Sequence, residues 1–328
     1  MPADNAKPFA DLPVMLAPMA GITDLPFRNL VQRFGAGMVV SEMIASRDIV
    51  TARAGTRQRA GLGLERAGTA VQLAGRDPFW MAEAARLVEA QGAQVIDINM
   101  GCPAKKVTGG QSGSALMRDL GLALSLIRAV VGAVTVPVTL KCRLGWDDAC
   151  LNAPELARMA EAEGISRIAV HGRTRCQFYK GQSDWAAIGC VVNSVRIPVI
   201  ANGDIDGLAS ARRALAASGA AGVMVGRAAR GRPWLLAKIA AGLAGRAYQG
   251  RPRGAVLTGM ALAHYQDMLD FYGVETGARA ARKHLGWYMD GAGTPPMLRR
   301  EVLTASDPAR VSALLATALQ SGQSELAA

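Results

Sequence analysis

Residues Val95 to Ala115 read V-I-D-I-N-M-G-C-P-A-K-K-V-T-G-G-Q-S-G-S-A, and the rest of the chain is understood from this stretch. Its first half has a strand's pattern, with β-branched Val95, Ile96 and Ile98 alternating with Asp97 and Asn99. Gly101 breaks the strand. Pro103 fixes its own φ and pushes Cys102 toward an extended conformation. Lys105 and Lys106 follow, then Gly109, Gly110 and Gly113. A cysteine therefore sits just past a strand's C-terminal end, at the entrance to a glycine-rich, basic loop. A free cysteine is often a buried structural thiol. The loop setting favours chemistry instead, because an α/β barrel carries its reactive groups there.

Working outward, seven more β-rich runs share this character: Val14–Ala17, Met38–Glu42, Thr69–Leu73, Val136–Cys142, Arg167–Val170, Pro198–Ala201 and Ala221–Val225. Helical runs separate them, at about 78–89, 120–131, 154–163 and 208–217, and Thr23 or Asp24 is placed to cap another near Pro26. The strands read as apolar throughout, as strands covered on both faces do. Eight such units predict a (β/α)8 TIM barrel over residues 1–240. A doubly wound open sheet is the alternative, and no G-x-G-x-x-G follows the first strand to support it. After about residue 240 the strand signal stops. Leu257–Tyr272, Gly277–Met289 and Pro308–Gln320 read as helices of a small C-terminal all-helical domain, 241–328. In the middle helix Ala278, Ala281, Leu285 and Met289 share a face, with Arg279, Arg282, Lys283 and Gly286 largely opposite. The segment between Arg47 and Arg66 carries five arginines and reads as a basic, mobile connection.

The chain has 328 residues and a net charge of +11, which favours an anionic partner. Residues 1–239 hold 28 Lys and Arg against 19 Asp and Glu. Much of this excess follows strand ends: Lys105 and Lys106, Lys141 and Arg143, Arg173 and Arg175, then Arg227, Arg230 and Arg232. On a barrel these crowd one rim, which suits a polyanion. Aromatics at 5% argue against a surface built mainly of stacked bases. Five cysteines without C-x-x-C spacing, and no signal-peptide pattern, suggest reduced thiols and a cytoplasmic protein. There is no metal-ligand cluster and no G-x-S-x-G. Asn202-Gly203-Asp204 and Gly226-Arg227 follow the seventh and eighth runs, where such barrels commonly bind phosphate. With Lys141, His171 and Gln72, they suit a phosphate-bearing cofactor lying across the mouth, with Lys141 facing a reduced flavin.

A-P-M-A-G-I-T-D-L-P-F-R from Ala17, I-D-I-N-M-G-C-P from Ile96, L-K-C-R from Leu140, H-G-R-T from His171, I-A-N-G-D-I from Ile200 and M-V-G-R from Met224 resemble the tRNA-dihydrouridine synthases, most of all the bacterial B-type. The resemblance implies an FMN-dependent enzyme that uses NADPH to reduce the C5–C6 bond of uridines in the tRNA D-loop. It implies that Pro18, Met19, Ala20, Gln72, Lys141, His171, Asn202, Gly203, Asp204, Gly226 and Arg227 hold FMN. Asn99 would read the uracil edge, Arg173 would lie near the flavin or the base, and Cys102 would donate the proton. Lys105, Lys106, Arg279, Arg282 and Lys283 would grip the tRNA backbone. The expected protein is a monomer that binds no membrane and no metal. A flavin barrel acting on a free small molecule would explain the phosphate loops but neither the charge nor the helical tail. A non-catalytic RNA-binding descendant would explain the charge, but it predicts decay of cofactor loops that read as intact.

Overall fold

A computed structural model describes residues 13–35, 37–51, 61 and 68–325. Most of the arginine-rich segment lies outside the described residues. Two compact units emerge: residues up to Ala228 with Leu236–Arg246, and Ala229–Leu235 with the chain from Ala247 onward.

The first unit is a closed parallel barrel. Its strands are β1 (Val14–Leu16), β2 (Met38–Val40), β3 (Ile44–Ala45), β4 (Thr69–Ala74), β5 (Val95–Met100), β6 (Val138–Arg143), β7 (Arg167–His171), β8 (Val199–Asn202) and β9 (Gly222–Val225). Neighbours run β2-β1-β9-β8-β7-β6-β5-β4, and the β2–β4 pairing closes the ring, while β3 is a two-residue addition beside β4. The eight expected strands are therefore the barrel. Helices at 25–33, 78–90, 120–131, 153–162, 185–192 and 208–218 alternate with them. Asp24, rather than Thr23, caps the first of these, accepting from Phe27 N at 3.0 Å. Thr23 Oγ1 instead accepts from Met19 N at 2.9 Å and so pins the turn after β1.

The strand alternation sorts the side chains. Ile96, Ile98, Leu140, Ile168 and Val170 have no exposed surface and point away from the axis. Inside, Met15, Ala17, Met38, Val40, Ala70, Val95, Ala169, Ile200 and Met224 form an apolar cluster. The interior is not apolar throughout, as the sequence had suggested. Strand register sets Gln72 beside Asp97, Asp97 beside Thr139, and Thr139 beside Arg167. One step toward the C-terminal mouth it sets Asn99 beside Lys141, and then Arg143 beside His171 and His171 beside Asn202. The C-terminal half of the barrel is thus lined with polar side chains above an apolar base.

The second unit is helical: Gly254–Tyr272, Val274–Ala292, Pro296–Thr304 and Pro308–Glu325. Ala261, Met268, Ala281, Met289, Leu315, Ala318 and Leu319 form its core without exposure. Asp307 caps the last helix through Arg310 N (2.7 Å). On the second helix Ala281, Leu285 and Met289 are buried as their spacing predicts, while Arg279 and Arg282 are exposed. Gly286 does not belong with the basic residues. It is buried, and a side chain there would meet Arg299 Nη2 at 3.0 Å.

Candidate active site

The turn after β5 is held from below. Asn99 Oδ1 accepts from the backbone N–H groups of Gly101 (3.2 Å) and Cys102 (3.0 Å). From above, Ser114 donates both its N–H (3.1 Å) and its Oγ–H (2.9 Å) to Cys102 O. Gly113, at φ +62°, sits against the cysteine, and a Cβ there would lie 2.8 Å from Cys102 O. Only glycine tolerates both that φ and that approach. Cys102 itself is half-buried, with its backbone fixed. Lys105 and Lys106 lie exposed on the short helix that follows, Lys105–Thr108.

Below the cysteine, two amides are joined in series. Asn99 Nδ2 donates to Gln72 Oε1 (2.7 Å), and Gln72 Nε2 donates to Asp97 Oδ2 (2.6 Å). Thr139 Oγ1 donates to the other oxygen of Asp97 (2.6 Å). Burial pushes the Asp97 carboxyl upward, against these hydrogen bonds and the charges of Lys141 and Arg167. On the adjacent strand Lys141 Nζ donates to Asn202 Oδ1 (3.0 Å), whose Nδ2 donates to Met224 O (2.8 Å). That uses one of three ammonium hydrogens. Burial, with Arg143 beside it, lowers the Lys141 pKa to about 8.

The basic residues after the strands are less of an open rim than the sequence suggested. Lys141, Arg143 and Arg173 are all buried. Arg143 acts as an internal brace, giving Nε to Gly101 O (2.8 Å) and Nη1 to the carbonyls of Thr174 and Phe178 (2.9 Å each). Arg173 is a second brace. Its guanidinium holds the carbonyls of Lys180 (3.0 Å) and Gly181 (2.7 Å) and pairs with Asp204 (2.5 Å). It also donates to His171 Nε2 (3.1 Å). Because arginine has no acceptor, that ring nitrogen carries no proton, and His171 is a neutral imidazole protonated at Nδ1. Its pKa accordingly lies well below the ordinary histidine range, first through burial and then through Lys141, Arg143 and Arg173.

These braces shape the loop after β7, which brings Tyr179 beside the mouth residues. Arg227 stands 4.8 Å and Arg143 5.6 Å over its ring, and His171 is 6.3 Å away. The exposed Arg227 also lies 3.7 Å from Asp204. Burial would raise the Asp204 pKa, but Arg173 and Ser183 outweigh it and the net direction is downward.

The two phosphate-loop glycines have different explanations. Gly203, at φ +113°, is required by the protein itself, since a side chain would strike Ser183 and His171. Gly226 is not: a Cβ there would make only ordinary contact with Ala17 (3.7 Å) and Met19 (4.0 Å). The protein's own packing therefore does not require glycine at half-buried Gly226, which stands next to the exposed Arg227. A buried ammonium with hydrogens to spare, the Gln72 amide and the exposed guanidinium of Arg227 beside Gly226 suit a planar, phosphate-bearing cofactor.

The structure therefore brings together Cys102, Asn99, Gln72, Lys141, His171, Asn202, Gly203, Asp204 and Arg173 around one mouth, with Pro18–Ala20 and Gly226–Arg227 after β1 and β9. Arg279, Arg282 and Lys283 belong to the other unit, where Arg279 pairs with Glu275 at 3.0 Å. The sequence reading did not single out Asp97, Thr139 or Tyr179. A signal for Asp97 existed: it shares a strand face with Asn99, two residues away. Among the described residues no cluster of His, Cys, Asp and Glu could hold a metal ion, and no helix is long and apolar enough to cross a membrane.

Comparison with known proteins agrees with the motifs. The dihydrouridine synthase family model matches residues 15–323. A probable tRNA-dihydrouridine synthase of Rhodobacter capsulatus is 59% identical over 310 residues, 94% of this chain and 95% of that protein. One from Rhizobium leguminosarum bv. phaseoli is 52% identical over 94% of this chain and 96% of its own length. The tRNA-dihydrouridine synthase B of Xanthomonas campestris pv. campestris is 49% identical over 84% of this chain and 83% of its own length.

Proposed function

Because the chain belongs to the tRNA-dihydrouridine synthase family, a family of oxidoreductases, we propose that it reduces uridines of the tRNA D-loop, with FMN bound at the barrel mouth and NADPH as reductant. The observation that carries this reading is the meeting of three things at one mouth. They are a fixed but half-buried cysteine, the Asn99 amide one residue before the end of its strand, and a buried lysine one strand across.

FMN would supply the hydride that reaches uracil C6. The residues that would hold it are Pro18, Met19 and Ala20, Gln72, Lys141, His171, Asn202 to Asp204, and Gly226 with Arg227. Lys141 provides a positive charge for an anionic ring edge, and its pKa of about 8 lets it remain an ammonium at neutral pH. Neutral His171 offers an Nδ1–H donor. Gly226 and Arg227 favour a phosphate through close backbone approach and a charged fork.

Asn99 presents its amide to the uracil edge. Cys102 donates its thiol proton to C5 as negative charge develops there. A positioned S–H donor suits this step as a general acid. The target base must leave its stack to reach this depth. Lys105 and Lys106 at the cysteine loop, and Arg279, Arg282 and Lys283 on the helical unit, contact RNA phosphates. Arg173 works one step back, holding the loop and His171.

The test is direct. Purified protein, FMN, NADPH and an unmodified tRNA transcript are incubated together, and the digested RNA is analysed by mass spectrometry. Dihydrouridine confined to D-loop positions is expected. A yellow protein that oxidises NADPH but leaves every uridine intact would refute the reading.

A further inference from the structure

The chain of hydrogen bonds beneath Cys102 has a fixed polarity. At one end stand two backbone N–H groups, Gly101 and Cys102, which can only donate. At the other stands the Asp97 carboxylate, which accepts from both Gln72 and Thr139. Between them lie two amides, each of which can be turned end for end. Only one arrangement satisfies both ends. Asn99 must turn its oxygen to the Cys102 turn and its nitrogen to Gln72, and Gln72 must turn its nitrogen to Asp97. Reversing either amide sets donor against donor or acceptor against acceptor in a buried site, since Gln72 is wholly buried and Asn99 and Asp97 nearly so.

This polarity limits what Asn99 can offer. Its oxygen has both lone pairs engaged, and one amide hydrogen is given to Gln72. What remains is a single N–H donor. A lone donor complements a pyrimidine carbonyl such as O4 of uracil, and it opposes the amino group that cytosine carries at the same position. We infer that Asp97 is a positioning residue that, acting through Gln72, locks the amide of Asn99 in the donor orientation and so makes the mouth select a 4-oxo pyrimidine while fixing the Cys102 turn. The inference rests on the proposed function for its substrate. The effect on the Cys102 turn holds independently of it.

The roles of charge and of accepting capacity can be separated. Asp97→Asn can still accept from Gln72 with its oxygen while giving its nitrogen to Thr139 Oγ, so the polarity survives. Asp97→Leu has no acceptor, so Gln72 Nε2 loses its buried partner and Asn99 is held in its orientation by the Gly101 and Cys102 N–H groups alone. Two readouts follow. One is the single-turnover rate on transcripts carrying uridine or 4-thiouridine at the target position, sulfur being the weaker acceptor. The other is the alkylation rate of Cys102 by iodoacetamide without tRNA, resolved by peptide mass spectrometry from the exposed Cys176 and Cys190.

For Asp97→Leu the rate on uridine should fall about ten- to a hundredfold, the value of a hydrogen bond to a charged group. Half-saturation by tRNA should stay unchanged, and the wild-type penalty for 4-thiouridine should shrink toward unity. Cys102 alkylation should quicken several-fold. Asp97→Asn should stay close to wild type in all four measures. A folded Asp97→Leu protein with wild-type rates and alkylation would overturn the inference. So would an Asp97→Asn protein as impaired as Asp97→Leu, because charge rather than polarity would then be at work. If Asp97→Leu does not fold, Thr139→Val removes one donor to Asp97 at nearly constant volume. It should shift the same readouts in the same direction by less, and no shift would count against the relay. If the wild type forms no dihydrouridine at all, the functional reading falls, and the alkylation comparison still decides whether the relay fixes the turn.

Discussion

Replacing Lys141 by methionine should change how the protein's stability depends on pH. Lys141 is buried, and its pKa in the folded chain is about 8, below the ordinary 10.5. Between those values the unfolded chain binds a proton that the folded chain does not, so stability rises with pH in that window. Below pH 8 the ammonium is charged in both states and the cost of burying it is felt in full. With these two pKa values the linkage relation gives a cost of about 3 kcal/mol at pH 7 and about 2 kcal/mol at pH 9. Wild type should therefore gain about 1 kcal/mol on the Lys141→Met protein between pH 7 and pH 9. Arg143, whose pKa falls to about 10, and Cys142, raised to about 12, are present in both proteins and largely cancel. Urea unfolding of both ligand-free proteins at the two pH values measures this, with equal m-values as the control. Parallel changes in the two proteins would refute the reasoning. A cation kept at such a cost at neutral pH is what a site for an anionic group requires, because stability is given up where function needs it.

Three further outcomes are expected. Arg173→Lys removes the fork that holds Lys180 O, Gly181 O and Asp204, and lysine cannot span all three. Urea unfolding should show a loss of about 1–3 kcal/mol, with faster proteolysis between residues 174 and 183; an unchanged cleavage rate would contradict the brace. Gly113→Ala places a methyl 2.8 Å from Cys102 O at φ +62°. It should lower stability by about 1–3 kcal/mol and cut uridine reduction while leaving NADPH oxidation intact, as stopped-flow absorbance would show. His171, neutral and bonded through Nε2 to Arg173, should give nitrogen shifts of the Nδ1–H tautomer that do not titrate through the ordinary histidine range, because burial and the neighbouring cations push its pKa well below it.

The barrel was legible because each strand carries β-branched residues at the positions that face the helices. Cys102 was legible because Gly101 and Pro103 mark a strand end on either side of it. The inward faces were harder to read. Asp97 looks like the solvent-facing half of an alternating strand, and only barrel closure shows that it faces inward. Arg143 and Arg173 looked like rim charges for the same reason: a sequence gives position after a strand, not the direction in which a long side chain folds back. The helix Pro296–Thr304 was missed because only Val302 is buried along it, leaving no apolar stripe to detect. Trp185–Val192 was missed because eight apolar residues in a row show no period.

Whether one thiol gives a proton to a uracil lying at this mouth is decided by comparing wild type with Cys102→Ala on both half-reactions. The variant should take electrons from NADPH as wild type does while dihydrouridine formation falls about 10²- to 10⁴-fold, the usual share of a positioned acid. Undiminished dihydrouridine formation by the variant would contradict this role for the thiol.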